Sequence, residues 1–490
     1  MAERREREQR FDRKMSDAEA LMWNIEKDPW LNPSGAMVTI LDKPIDVDQF
    51  RHRMAFAVSR ISRLRERVVA GLGRLSPPSW STDPEFNLDY HLRHISLPAP
   101  GTTRQLYDLA TKLYEDPYDR TRPLWSFVVI DGLEGGRGAL FTKLHHSISD
   151  GIGAIRLSEL YMEAERNADL PPTVDLDEVI AAAIAAESAE ADQPDPPDPI
   201  QSTVHTFGHL FRRQAGIARR TMGELALWSA DPTRARDVLE GAVEGLGSTI
   251  RQLNPSEDGV EGGSPLWTNR SRRRHLESLT VPLDEVKAAG KALEASVNDM
   301  FVAGAVNGAL AYHAERDTPV EALNISFVVS TRSDKAIGGN SFTPTPVQVP
   351  GNDMTPEQRL HEIRDRMAAK RSSVSGEGAL AGLAGLANLL PTSVVTQVAR
   401  SQAAKMDFAT SNLRAAPFTT YISGAEVLET VTMGPVAGTA FNLTTISYDG
   451  NLHMGIFIDP VAVEDPAGLT RCMRAAYAEL LAAGGVVIDG

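Results

Sequence analysis

The sequence predicts an α/β fold built as two domains with mixed sheets, and three observations predict it. At 490 residues the chain exceeds what one ordinary core accommodates. Strand-like and helix-like stretches mix without the repeating βαβ rhythm of a doubly wound nucleotide fold, which points to α/β layers around mixed sheets. From residue 170 to about 263 the composition shifts, and residues 192–199, reading DQPDPPDP, can neither pack a core nor hold a helix. A first domain is therefore expected at 1–170, a crossover with helices at 171–264 and a second domain at 265–490.

Taken in order, the first domain begins with a segment at 15–26 and a short strand at 37–41. A helix follows over 48–64, because Phe50, Met54, Ala57, Val58 and Ile61 recur at helical spacing. Residues 105–114 repeat that pattern with Leu106, Leu109 and Leu113. Residues 125–130 are strand-like, and Asp131-Gly132 with Gly135-Gly136 turns them toward the next strand. That next stretch, residues 138–155 (GALFTKLHHSISDGIGAI), organises the chain. Residues 139–145 read as a strand buried on both faces, and Ser147, Ser149, Asp150 and Gly151 break it before a helix opens at Ile152. Neighbours on a strand point to opposite faces, so His145 lies with Phe141 while His146 lies with Leu144 and Thr142. The two imidazoles cannot share one task.

In the second domain strands are expected at 276–281, 324–330, 441–448 and 452–458, with Asp449-Gly450 as a short hairpin turn. Helices are expected at 282–293, 297–312, 356–370 and 466–481. On 356–370, Leu360, Ile363 and Met367 share one side.

Adjacent ring nitrogens on opposite faces make poor co-ligands, and no cysteine or third histidine lies near His145-His146-x-x-x-Asp150-Gly151, so the pattern is a poor metal fragment. A neutral imidazole reached by a hydroxyl is a usable general base near neutral pH. An isolated histidine on an apolar strand defaults to a hydrogen-bonded core residue. The whole motif reverses that preference.

Hydrophobic content of 42% excludes disorder of the whole chain. A net charge of −15 argues against a nucleic-acid binder without forbidding a local basic face. A single cysteine, Cys472, excludes an intramolecular disulfide framework and fits a reducing compartment. Residues 1–14 are densely charged and lack the apolar core of a signal peptide. Residues 378–399 carry no charge, yet their polar residues, glycines and Pro391 favour a buried or interface-lying helix pair over a membrane span. Residues 207–220 set Phe207, Leu210, Phe211 and Ile217 beside Arg212, Arg213, Arg219 and Arg220. Such a helix can lie on an anionic membrane or equally dock one domain onto the other.

Together, Pro123-Leu124-Trp125, the stretch 145–151, Asn298-Asp299, Gly339-Asn340 and residues 441–450 (FNLTTISYDG) make a recognisable set. The sequence resembles the bacterial wax ester synthase/acyl-CoA:diacylglycerol acyltransferase family, within the superfamily of chloramphenicol acetyltransferase and peptide-synthetase condensation domains. The resemblance implies two similar chloramphenicol-acetyltransferase-like domains with an active-site tunnel at their interface. Acyl-CoA would enter one side as co-substrate, and diacylglycerol or a fatty alcohol the other. No further cofactor and no metal is implied.

The resemblance carries a general-base role to His146, with His145, Asp150 and Asn298 as its companions at the catalytic centre. Asp150 would be structural and paired with an arginine, for which Arg332 is the candidate. From the residues alone Asn298 reads as a helix N-cap, whereas the family pattern has it orient the site, and both roles are compatible. Pro123, Leu124 and Trp125 would shape the acceptor channel, although by themselves they suit the start of a strand. Gly151, Asn340, Ser411 and Asn412 complete the expected substrate contacts. After Asn412 the chain reads Leu413-Arg414-Ala415-Ala416-Pro417, departing from the family's Asn-Val-Pro-Gly-Pro.

Three functions follow. The first is an acyl-CoA-dependent O-acyltransferase in the cytoplasm, held peripherally at the inner membrane or on lipid bodies and making triacylglycerol, wax ester or both. The second is a carrier-protein-dependent condensation enzyme. The third is a non-catalytic protein coating a lipid-droplet surface.

Overall fold

The computed structural model describes residues 11–70, 77–149, 151–191, 262–330, 342–373 and 392–486. Helix starts follow local chemistry. In α1 (Asp17–Ile25) and α4 (Thr103–Glu115), Ser16 and Thr102 close capping boxes with Glu19 and Gln105, satisfying backbone N–H groups that a first turn leaves open. Between them α2 (Val47–Arg60) starts on Asp46 and buries Phe50, Met54, Ala57 and Val58, the spacing expected, and the single turn α3 (Leu88–His91) starts on Asn87. The inner face of α4 differs from expectation. It runs through Leu106, Tyr107, Ala110 and Tyr114, while Leu109 and Leu113 sit at its margin, because the two tyrosines supply the wider apolar surface.

The first sheet is mixed and six-stranded. Its core is β1 (Ser34–Leu41), flanked by β6 (Gly138–His145) on one side, with β5 (Trp125–Asp131) and β4 (Leu92–Ser96) beyond. Only β4 and β5 run parallel. A separate hairpin joins β2 (Glu66–Val69) to β3 (Ser79–Thr82). Two helices follow β6: α5 (Gly151–Ser158) and α6 (Leu176–Ala191).

The second sheet, also mixed, has the order β7 (His275–Pro282), β14 (Asn451–Ile458), β13 (Phe441–Tyr448), β10 (Phe408–Arg414), β8 (Ala322–Ser330) and β9 (Phe342–Pro350). Asp449 and Gly450 take φ of 43° and 77°, the left-handed pair that a two-residue hairpin requires. The helices α7 (Leu283–Ala292), α8 (Val297–Ala314), α9 (Pro356–Ser373) and α11 (Pro466–Ala483) cover this half, and α10 (Thr392–Ala403) precedes β10. Leu360, Ile363 and Met367 of α9 are fully buried, on the side the sequence assigns.

The halves are joined by an exchanged element. Strand β12 (Ala425–Met433), late in the chain, pairs with β1 on the side away from β6, and β11 (Tyr421–Ile422) extends it. Thr432 of β12 also donates to the Thr444 carbonyl of β13 at 2.7 Å, so β12 belongs to one sheet and leans on the other. Gly455 of β14 permits this approach, since a Cβ there would fall 1.8 Å from the Thr432 carbonyl oxygen. An apolar cluster spans the same seam, joining Val38, Val128 and Phe141 to Leu276, Val431 and Phe457.

Among the described residues no helix is long and apolar enough to cross a membrane. Of the uncharged run 378–399, only 392–399 is described, and α10 there has no buried residue. Residues 207–220 and Arg332 lie outside the described residues.

Candidate functional site at the seam of the two sheets

Strand β6 is buried along its whole length, and its period-two alternation sorts the chemistry. Thr142, Leu144 and His146 line a cavity of about 440 Å³, whereas Phe141 enters the apolar cluster beneath the sheet. The cavity is walled from both halves: by Gly35, Ala36 and Met37 of β1, by Gly151, Ala154 and Ile155 of α5, and by residues 409–413 of β10. Thr432 and Met433 of β12, Asn442 and Thr444 of β13, and Asn298 complete it.

His145 is turned the other way and is fully buried. The Ser147 backbone N–H donates to its Nδ1 at 3.1 Å, and the Ser147 hydroxyl lies 2.6 Å from the same nitrogen. With the Ser147 N–H directed at Nδ1, Nε2 is the ring's other polar atom. That nitrogen faces Glu26 Oε2 at 3.5 Å, longer than an ordinary hydrogen bond but within electrostatic reach. Burial pushes the Glu26 carboxyl up. Its contact with His145 and the charges of Arg120 and Lys143 outweigh burial and hold it below the usual range. Arg120 donates to Glu26 at 2.9 Å, and burial brings the Lys143 ammonium down to about 8.

His146 meets the opposite environment. Gly35, paired across to Leu144, faces its ring, and a Cβ added at Gly35 would stand 3.7 Å from His146 Nε2. Gly151 opens α5 against β10, where a Cβ would fall 2.7 Å from a Leu413 methyl. A larger residue at 151 would have to displace the Leu413 side chain.

Asn298 is not the helix cap. Ser296 caps α8 in a capping box with Asp299, and Asn298 is the second helical residue. Serine two positions earlier satisfies the open N–H of Asp299, which frees the Asn298 carboxamide for the cavity. There its oxygen accepts from Asn412 Nδ2 at 3.3 Å. Ser411 and Asn412 line the cavity in spite of their divergent continuation.

Pro123, Leu124 and Trp125 are not among the residues lining the cavity. Leu124 and Trp125 are buried in the core of the first half. The Trp125 indole stacks on His91 and donates to the Leu64 carbonyl at 2.8 Å, and the Leu124 carbonyl receives the His145 N–H at 3.0 Å. This segment anchors the end of β6 from behind. Asp150 and Asn340 lie outside the described residues.

Sequence reasoning passed over Gly35, Thr432, Asn442 and Thr444. Asn442 and Thr444 sit in the FNLTTISYDG stretch, where their alternate positions on a strand were the available signal. Thr444 donates to Asn442 Oδ1 at 2.6 Å, and Asn442 donates to the Pro435 carbonyl at 3.1 Å. The lining mixes apolar side chains with polar groups, several of them held by one another, the make-up of a small-molecule site. Among the described residues no group of three or more His, Cys, Asp or Glu could hold a metal ion.

Residues 15–301 match the family model described as wax ester synthase/diacylglycerol acyltransferase catalytic domain, and residues 338–481 match the WS/DGAT C-terminal domain. A Mycobacterium tuberculosis protein named provisionally as a diacylglycerol O-acyltransferase is 29% identical over 97% of this chain and 93% of its own length. A second from that organism, named in the same way, is 29% identical over 96% and 97%. Among solved structures, the wax ester synthase/diacylglycerol acyltransferase of Marinobacter aquaeolei VT8 superposes with a TM-score of 0.63 at 17% identity, over 96% of this chain and all of that one. The first condensation domain of the calcium-dependent antibiotic synthetase gives 0.54 at 16%, over 97% and 96%. At these identities the two structures speak for the fold.

Proposed function

The chain belongs to the wax ester synthase/diacylglycerol acyltransferase family and is an O-acyltransferase; from that premise we propose that it moves a long-chain acyl group from coenzyme A to the hydroxyl of diacylglycerol or a fatty alcohol, with His146 as general base. The observation that carries the assignment is the opposite placement of the two histidines at the end of β6. His146 lines a cavity that both sheets wall, whereas His145 is locked behind the strand by Ser147 and Glu26.

A hydroxyl attacks poorly until its proton leaves. His146 accepts that proton as the acceptor oxygen bonds to the thioester carbonyl carbon, giving a tetrahedral oxyanion. Collapse breaks the carbon–sulfur bond, and the imidazolium returns the proton to the departing thiolate, releasing free CoA and the ester. No acyl-enzyme is needed. The oxyanion requires a donor, and Asn298 fits: Asn412 occupies its oxygen, so its amide nitrogen is the group left to donate.

The supporting test gives purified protein a long-chain acyl-CoA with either diacylglycerol or a fatty alcohol and follows thiol release and lipid product. Ester appearing in step with CoA supports the reading, and the relative rates name the preferred acceptor. Hydrolysis to free fatty acid without ester would contradict it.

A further inference from the structure

A second hollow of about 540 Å³ adjoins the cavity. Val436 and Ala437, in the loop after β12, line both, so one short loop is the wall between them. On its far side stand Arg272, Arg273 and Arg274, on the approach to β7, against a single carboxylate, Glu115 at the end of α4. In a chain with net charge −15, this is a local excess of two positive charges.

These arginines differ from the ion-paired ones of the described residues. Arg104, Arg120, Arg122 and Arg166 each hold a carboxylate, but among the described residues none of Arg272, Arg273 and Arg274 has one within ion-pair distance. Arg274 spends one nitrogen on the backbone carbonyls of Ser271 and Arg273, at 3.0 and 2.8 Å, which fixes its head without neutralising it. Arg272 and Arg273 are exposed. Trp30 also lines the hollow, with the Arg400 guanidinium over its ring at 5.1 Å, so a fourth cation stands beside the basin. Guanidiniums with no carboxylate partner recognise phosphate groups, since planar forks of donors match phosphate oxygens.

We propose that this basin binds the phosphorylated adenosine of coenzyme A, so that the pantetheine arm passes the Val436–Ala437 wall and delivers the thioester to His146. The assignment rests on the acyl-CoA reading above. It names the side from which the donor enters and leaves the rest of the cavity for the lipid alcohol. Anionic lipid headgroups offer the same phosphate chemistry. The shared wall favours CoA, whose phosphates must be held at a fixed reach from the thioester.

The test uses the full chain and the double variant Arg272→Ala/Arg273→Ala, with the same acyl group presented on CoA, on 3′-dephospho-CoA and on N-acetylcysteamine, which carries no phosphate. The expected result is a loss of about 10- to 100-fold in kcat/KM with acyl-CoA, carried by KM. A smaller loss is expected with the dephospho donor, and transfer from the N-acetylcysteamine thioester stays within about twofold. An equal loss on all three donors, or none on acyl-CoA, overturns the proposal. So does a variant that loses binding to phosphatidylglycerol vesicles while keeping its KM for acyl-CoA, which would assign the arginines to lipid. A wild type that transfers from no thioester defeats the donor reading itself. A wild type active with acyl-CoA beside an unaltered variant defeats only this assignment.

Discussion

Glu26 Oε2 lies 3.5 Å from His145 Nε2, on the face of β6 turned away from the cavity that His146 lines. The chain thereby separates the His145–Glu26 contact from the imidazole of His146, which lines the cavity. Glu26 reaches this position from the end of α1, so a segment far from the motif in sequence supports it from behind.

Glu26→Gln is expected to lower stability by about 1–3 kcal/mol at neutral pH, because Arg120 and Lys143 lose their charged partner, while kcat stays within a few-fold. The folded-state pKa of Glu26 lies below its ordinary 4.5, so the unfolded chain binds more protons and stability rises with pH. The Glu26 contribution is present above about pH 4.5 and is lost as pH falls through the depressed folded value. Denaturant titrations across that window should show a flatter pH dependence for the variant. A variant of unchanged stability with abolished turnover would place Glu26 in the chemistry instead.

Gly35 sets the room beside His146. With a Cβ at 3.7 Å from Nε2, Gly35→Ala makes an ordinary contact and should keep most activity. Gly35→Leu drives further atoms toward the ring and should reduce kcat about 100-fold or more, since a displaced base falls outside hydrogen-bond reach. Steady-state rates on both variants, normalised to folded protein by circular dichroism, check this.

Asn298 and Ser296 should separate cleanly. Ser296→Ala removes the cap of α8 and should cost about 1 kcal/mol of stability without changing kcat. Asn298→Ala should leave the melting temperature nearly unchanged and lower kcat about 10²- to 10³-fold if its amide stabilises the oxyanion. Reversed outcomes would return Asn298 to a structural role.

Trp125→Phe should cost about 1–2 kcal/mol by leaving the Leu64 carbonyl without its indole donor. The ratio of wax ester to triacylglycerol should not move, because Trp125, the first residue of β5, is buried in the core of the first half and does not line the cavity. A changed ratio in competition assays would show that the segment acts on the acceptor.

Much of the fold was legible because burial imposes periods. The helical faces of α2 and α9, the largely apolar run at the start of β6 and the Asp449-Gly450 hairpin each carry a local signature. Strand β9 did not, because Pro344, Pro346 and Pro350 suppress strand propensity; an edge strand tolerates them, since its outer side needs no ladder donors. Strand β12 was invisible for a different reason. Its residues suit a strand, but nothing local says that it pairs with β1, about 390 positions away. At the site, the opposite facing of His145 and His146 follows from strand geometry alone. The Asn298–Asn412 contact and the place of Gly35 depend on two sheets meeting, which no single segment encodes.

The most direct measurement compares single turnover of acyl-CoA with a saturating lipid alcohol for His146→Ala and the wild type, with folding of both confirmed by near-ultraviolet circular dichroism. The account predicts a folded His146→Ala protein whose ester formation is slower by about 10²- to 10⁴-fold. Ester formation at the wild-type rate in that variant would contradict it.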